Sequence, residues 1–350
     1  MTAAPSPSTP SELARLAAVV RPKVEADLEA RLADELAAAR AAGPDAAAVV
    51  EAVSDLAVRG GKRVRGVLVC AAHAACGGAW ADAVPAAVGF EILHAYFLAH
   101  DDWMDGDDVR RGGPSVHAAL RARFGDERQG DVGAILAGDW AAAVAMSAVM
   151  ASKAPADRLL AAAREVARVH ADVVLGQVLD VRASASDRAS VERVHALKTA
   201  SYTVRGPLRV GALLAGAPEA TLDAIDRAGT PAGVAFQLQD DLLGVFGDPK
   251  ETGKPRGSDL REGKRSAVVV EALGDRAVRP LLDRVLGVAD APDEEVEAII
   301  GRLAQSGVKA RVEARASELF AEARGAASGA PREVRALLED AIASLVGRTK

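Results

Sequence analysis

Between Asp101 and Asp108 the chain places five aspartates in eight positions, Asp101, Asp102, Asp105, Asp107 and Asp108, then adds Arg110 and Arg111. Like charges this close repel, so the crowding calls for a counter-charge. Asp101 and Asp105 are four apart and stack on one helix face. Asp102 sits about 100° further round, at 3.6 residues per turn. Carboxylates stacked this way suit a hard divalent cation such as Mg²⁺, which takes oxygen ligands and keeps several waters. A solvated acidic helix end is the plainer reading, and two features count against it. The preceding "YFLAH" is mostly apolar and runs into a core. Negative charge at a helix C-terminus also opposes the macrodipole.

A second acidic pair, Asp240 and Asp241 in "FQLQDDLLGVFGD", ends another apolar helix. Two such helices facing each other would set carboxylates on both sides of a gap, and a bundle core is a normal place for such a site. An aspartate at 244 would repeat the spacing of the first motif, but Gly244 stands there. The basic residues narrow the ligand. Lys62 and Arg65 in "GGKRVRG" are three apart on an expected helix face. Arg110, Arg111, Lys198 in "LKTASY", Lys254 in "TGKP" and Lys264 in "EGKRS" lie beside polar stretches. Any one of them alone reads as a solvated surface charge. Beside two acidic clusters they point to a polyanion, phosphate or diphosphate, held through metal and by direct cations. No P-loop and no GxGxxG is present, which excludes the standard nucleotide folds.

Helices must position these groups. Half of the 350 residues are apolar and aromatics are 3%. Alanine dominates, and β-branched residues seldom alternate with polar ones, which favours helix over strand. Thr9-Pro10-Ser11-Glu12 reads as a capping box opening a helix that runs to Ala42 and breaks at Gly43-Pro44. Helices are expected from Asp45 to Gly60-Gly61, from Lys62 to Gly77-Gly78, and from Pro85 through the first aspartates. Others fit Val132–Ser152, Pro155–Arg182, Val191–Ala215 (kinked at Pro207), Leu222–Val245, Lys264–Gly274, Arg279–Val288, Glu294–Ser306, Val308–Ala327 and Pro331–Val346. Asp248–Arg261 reads as a polar loop. No linker divides the chain, so residues 11–350 are expected to form one all-α domain behind a disordered tail, 1–10. The net charge of −6 argues against a general nucleic-acid binder. Cys70 and Cys76 lie in one apolar helix and read as reduced thiols. No secretory signal is visible, and the longest apolar tract, Ala141 to Ala151, is too short to span a bilayer. A cytoplasmic protein without membrane insertion is the expectation.

The segments "GGKRVRG", "EILHAYFLAHDDWMDGDDVRRGGPSVH", "GD" at 138–139, "GQVLD" at 176–180, "KTA" at 198–200, "FQLQDD" and "GDPKETGKPRGSDLREGKRS" come in an order and spacing that resembles the trans-prenyltransferases, the isoprenyl diphosphate synthases. The resemblance covers residues 30–350. It implies one antiparallel helical barrel around a deep central cavity, usually a homodimer, and Mg²⁺, three ions per active site, with Mn²⁺ as an alternative. It implies metal ligation by Asp101, Asp105 and Asp240, supported by Asp102 and Asp241. Arg110, Lys198 and Lys254 would touch an allylic diphosphate, while Lys62, Arg65, His94 and Arg111 would hold isopentenyl diphosphate. The allylic C–O bond would ionise as cations neutralise the leaving diphosphate in a water-poor cavity. The carbonyl of Lys198, the hydroxyl of Thr199 and the amide oxygen of Gln237 would steady the carbocation, and the departing diphosphate would take the final proton.

The chain departs from the family pattern at Gly66, Ser115 and Gly244, and no role follows for His100 or Trp103. The basic ending, with Arg348 and Lys350, resembles tails that close over diphosphates. Residues just before the first aspartate floor the cavity in this family, and one helical turn, about 5 Å, is close to one isoprene unit. Tyr96 and Phe97 are bulky there, which implies farnesyl diphosphate (C15). The stretch after Asp240 resembles geranylgeranyl (C20) synthases instead. Two further readings are weaker. A class I terpene synthase would want a side-chain ligand at Gly244 and would leave Lys62, Arg65 and Arg111 without purpose. A non-catalytic partner subunit would not be expected to keep both acid pairs.

Overall fold

A computed structural model describes residues 10–182, 185–249 and 256–346. The fold is all-α. In order come α1 (Glu12–Ala42), α2 (Pro44–Val58), α3 (Val64–Ala75), a 3-10 turn (Trp80–Ala83) and α4 (Val84–Asp105). A two-strand ribbon follows, β1 (Val109–Arg110) and β2 (Gly113–Pro114), then α5 (Val116–Phe124), α6 (Glu127–Met150), α7 (Ala156–Val181) and α8 (Arg188–His195). A π-helical segment (Ala196–Arg205) leads to α9 (Gly206–Ala215) and α10 (Glu219–Phe246). The chain continues through α11 (Ser258–Arg261), α12 (Ala267–Leu273), α13 (Arg279–Leu282), α14 (Asp293–Gln305), α15 (Val308–Ala327) and α16 (Arg332–Val346). These elements group into two compact units, Met1–Val166 with Pro207–Pro218, and Ala167–Gly206 with Glu219–Lys350.

In the first unit α4 is the central helix. Its run from Val84 to Tyr96 is buried almost throughout except at Pro85. It lies so close to α6 that a Cβ on Gly89 would stand 2.7 Å from the carbonyl oxygen of Ala145, closer than side-chain atoms approach. Glycine there lets the two backbones meet and fixes the height at which α4 presents its aspartates. α1 lays Val20, Val24, Leu28 and Leu32 into the same core, one residue per turn. In the second unit α10 is the corresponding helix and is packed by the π-helical segment and α15. Gly229 and Gly233 face that segment at Arg205 and Ala200.

Several local expectations need correction. The cap of α1 is Ser11, whose hydroxyl accepts from the Ala14 amide at 3.2 Å; Thr9 lies outside the described residues. α3 begins at Val64 rather than Lys62, because Arg63 is left-handed at φ 48° and stops the helix from extending back. Lys62 therefore sits in the turn before the helix that carries Arg65. The helix α5 was not expected at all; its flanks Pro114 and Gly125 punctuate a stretch too short to show a clear period. Across Val191–Ala215 the helix is unbroken, and its winding changes to π at Ala196–Arg205, immediately before Gly206 and Pro207. Regular helix at Arg279 ends by Leu282.

Two helices, Trp80–Asp105 and Glu127–Met150, are long and apolar enough to cross a bilayer. Counting unbroken apolar tracts missed both, since each is interrupted by polar residues. The apolar window of the first is 72% buried within the protein, as expected of a core helix.

Candidate functional site

One stripe of α4 carries most of the first unit's candidate chemistry. Glu91, His94, Leu98, Asp101 and Asp105 recur at intervals of three and four and so share a face. Asp101 is half-buried and Asp105 exposed, while Asp102, one step round, is fully buried. The helix then stops at left-handed Gly106, and the ribbon folds back. Its two turn residues, Arg111 and Gly112, have φ of 53° and 73°, the doubly positive pattern of a type I′ turn. That turn sends neighbouring arginines to different partners. Arg110 donates from Nε to Asp102 Oδ1 at 2.7 Å, its Nη2 also reaches that oxygen, and Nη2 donates to Asp107 at 3.2 Å. Arg111 donates from Nη2 to His94 Nε2 at 2.9 Å and from Nη1 to the Arg59 carbonyl at 3.1 Å.

A guanidinium has only donors, so His94 Nε2 must accept and the ring proton sits on Nδ1. Burial, then the positive charges of Arg65, Arg111, Arg110 and Arg63, hold the His94 pKa well below the ordinary histidine value. The imidazole is neutral. Burial raises the Asp102 carboxyl, with Arg110 pulling the other way and Asp101 and Asp107 adding to the rise.

The residues that hold this array were not singled out in the sequence. Arg59 donates to the carbonyls of Arg110 at 2.9 Å and Pro114 at 2.7 Å and so pins the ribbon. Arg63, buried, donates to the carbonyls of Ala57 and Val58 at the end of α2. Buried Glu91 accepts the Gly66 amide at 3.0 Å and Arg63 at 3.5 Å, which locks "GGKRVRG" onto α4. The signal available was the density of arginines in that loop; their division of labour depends on backbone geometry. Lys62 is exposed and Arg65 half-buried. His100 ties α4 to α6: its ring donates from Nε2 to the Ile135 carbonyl at 3.1 Å and packs edge-on against Tyr96. Trp103 packs on the first unit's core. Tyr96 points the same way as His100, while Phe97 shares the face of Asp101; their rings touch, with centroids 4.7 Å apart.

In the second unit Asp241 is the hub. Its Oδ1 accepts from Gln237 Nε2 at 3.1 Å. Its Oδ2 accepts the Ala267 amide at 2.7 Å and lies 3.3 Å from His195 Nε2. Burial pushes this carboxyl up, but His195, the Ala267 amide and Gln237 outweigh it and hold the pKa below the ordinary value. Asp240, one position earlier, is half-buried. Thr199 donates its hydroxyl to Gln237 Oε1 at 2.9 Å, which fixes the amide's orientation. Lys198 donates to Asp180 at 2.6 Å. The π-helical winding of residues 196–205 places Lys198 and Thr199, and such winding recurs at functional sites. Lys254, Arg348 and Lys350 lie outside the described residues.

The donor set suits a hard cation. Carboxylate oxygens are the ligands Mg²⁺ takes, and Asp102 Oδ2 is buried with no hydrogen-bond partner among the described residues. Within those residues no three His, Cys, Asp or Glu side chains gather to cage an ion. Water and anion oxygens would therefore complete the shell, the usual habit of Mg²⁺. Cys70 and Cys76 are free, and burial raises their thiols to about 12 and about 11, so neither offers a thiolate.

A family model described as polyprenyl synthetase matches residues 47–303. A geranylgeranyl diphosphate synthase of Methanosarcina mazei is 34% identical over 252 residues, covering 71% of this chain and 73% of that protein. A (2E,6E)-farnesyl diphosphate synthase of Mycobacterium tuberculosis is 35% identical over 249 residues, covering 68% and 66%. The crystal structure of a geranylgeranyl pyrophosphate synthase from Corynebacterium glutamicum, complexed with isoprenyl diphosphate and magnesium, superposes with a TM-score of 0.84 at 32% identity, covering 93% of this chain and 99% of that one. A helical chain with two aspartate pairs, a surrounding set of arginines and this match belongs to the polyprenyl synthetase family and is a trans-prenyltransferase.

Proposed function

We propose that the protein joins isopentenyl diphosphate head-to-tail to an allylic diphosphate and releases farnesyl diphosphate. The observation that carries this reading is the α4 stripe, where Asp101 and Asp105 stand above a neutral His94 held by Arg111. Asp101, Asp105 and Asp240 would hold Mg²⁺, three ions per active site in this reading. When bound, Mg²⁺ neutralises the charge that grows on the leaving diphosphate. Arg110, fixed by Asp102, and Lys198, fixed by Asp180, present cations to the allylic diphosphate without having to reorganise. Lys62, Arg65, Arg111 and the Nδ1–H of His94 serve isopentenyl diphosphate. Thr199 and Gln237, already bonded to each other, keep lone pairs on their oxygens for the carbocation. The departing diphosphate takes the last proton, and no side chain acts as a nucleophile.

Product length rests on Phe97. It is half-buried, one turn below Asp101 on the same face, where a growing chain would end. Tyr96, buried and turned toward His100, buttresses it. Geranylgeranyl diphosphate is the second reading, supported by the names of the Methanosarcina relative and the Corynebacterium structure. Incubating the purified chain with Mg²⁺, isopentenyl diphosphate and dimethylallyl diphosphate, then chromatographing the products, separates the two. Phe97→Ala should lengthen the product by at least one isoprene unit, and Tyr96→Ala should do less. Identical products from wild type and Phe97→Ala would end the case for Phe97. Absence of any condensation would remove the wider reading. A homodimer is part of the proposal, supported by the exposed apolar pair Val132 and Leu136 on adjacent turns of α6.

A further inference from the structure

We propose that Asp259 supplies the carboxylate the second acidic motif lacks at position 244, and that Gly244 is glycine in order to admit it. Positions 240 and 244 are one turn apart on α10 and share a face. A Cβ built on Gly244 would collide with Asp259 Oδ2 and would stand 2.5 Å from its Cγ and 2.9 Å from Oδ1. The carboxylate thus occupies the volume that a side chain at 244 would take, on the side of the helix that carries Asp240.

Asp259 is held there by its own short helix. α11 follows left-handed Gly257, and its Leu260 is fully buried. The Asp259 carbonyl accepts the Lys264 amide at 3.0 Å. The first motif writes two carboxylates, Asp101 and Asp105, four residues apart on one helix. The second rebuilds that pattern from two segments, Asp240 from α10 and Asp259 from α11. Asp259 then becomes a further oxygen donor, direct or through water, for the cation that Asp240 holds. This inference rests on the reading of Asp240 as a Mg²⁺ ligand.

The test measures Mg²⁺ binding in the presence of inorganic diphosphate, by calorimetry and by the rise in melting temperature, with the Mg²⁺ dependence of turnover alongside. Gly244→Ala should push the Asp259 carboxylate aside and weaken Mg²⁺ binding by about tenfold, the scale for losing a supporting group at a metal site. Asp259→Asn should do the same. Because both changes remove one group, the double variant should be no worse than either single one. The swap Gly244→Asp with Asp259→Gly should recover most of the affinity. Wild-type Mg²⁺ binding in Asp259→Asn, or additive losses in the double variant, would overturn the inference. Should Asp259→Asn fail to fold, the loss in Gly244→Ala and its recovery in the swap decide the matter. Asp240→Asn separates the two levels. If it weakens Mg²⁺ binding while Asp259→Asn does not, only this inference falls; if it leaves binding unchanged, the reading of the second motif falls with it.

Discussion

Asp102 on α4 and Asp241 on α10 each follow an aspartate proposed as a metal ligand, and both are buried, yet their surroundings differ in kind. Asp102 leans on one cation, Arg110, which arrives from a two-residue strand in the ribbon. Asp241 is gripped by a backbone amide, a glutamine amide and a histidine from three separate segments. Burial wins at Asp102 and raises its carboxyl. At Asp241 burial is outweighed and the carboxyl stays low. On the proposed reading, the repeated "DD" would supply one ligand and one anchor each time. The first anchor sets an arginine. The second sets the start of α12, since the Ala267 amide it accepts would otherwise lack an acceptor in the first turn of that helix.

This difference predicts unequal fragility. Arg110→Met leaves Asp102 buried without its counter-charge, and removing one partner of a buried pair costs about 3 kcal/mol or more. Denaturant unfolding should show that loss, and Arg110→Lys should restore only part, because two guanidinium nitrogens converge on one oxygen. A full rescue by lysine would make the bond a simple point charge and weaken the contrast. Asp241→Asn should cost less, about 1–3 kcal/mol, because an amide keeps one acceptor for its several donors. If Asp241→Asn proves the more damaging change, the ranking drawn from the two surroundings is wrong.

Legibility followed the same division. The candidate ligand positions stood out because Asp101 and Asp105 lie four apart at the end of an apolar helix, where a bare acidic face is disfavoured. Helix order was readable because glycine and proline punctuate the chain at Gly43-Pro44, Gly60-Gly61 and Gly77-Gly78. What could not be read depends on contacts between distant residues. Nothing in "VERVHALKTA" announces that His195 meets Asp241, or that the following turn is wound as π-helix. Arg59 and Arg63 drew no attention in the sequence, yet they spend their donors on carbonyls of the ribbon and of the end of α2. Gly244 read as a missing ligand, and only the position of Asp259 shows what fills the place.

The smallest expected effect tests why the first region needs a neutral histidine among its arginines. His94 has a folded pKa well below the value near 6.5 of an unfolded histidine, through burial and then Arg65, Arg111, Arg110 and Arg63. Below about pH 6.5 the unfolded chain takes up a proton that the folded chain refuses. The unfolded state then binds more protons, so stability falls as pH falls, until the folded pKa is reached. Buried His73, also lowered, contributes with the same sign. His94→Gln keeps an oxygen to accept from Arg111 but cannot titrate. Between pH 7.5 and 5.5 its urea midpoint should decline less steeply than that of the wild type. Equal slopes would mean that His94 titrates alike in both states, and the arginine-rich pocket would then have no hold on its charge.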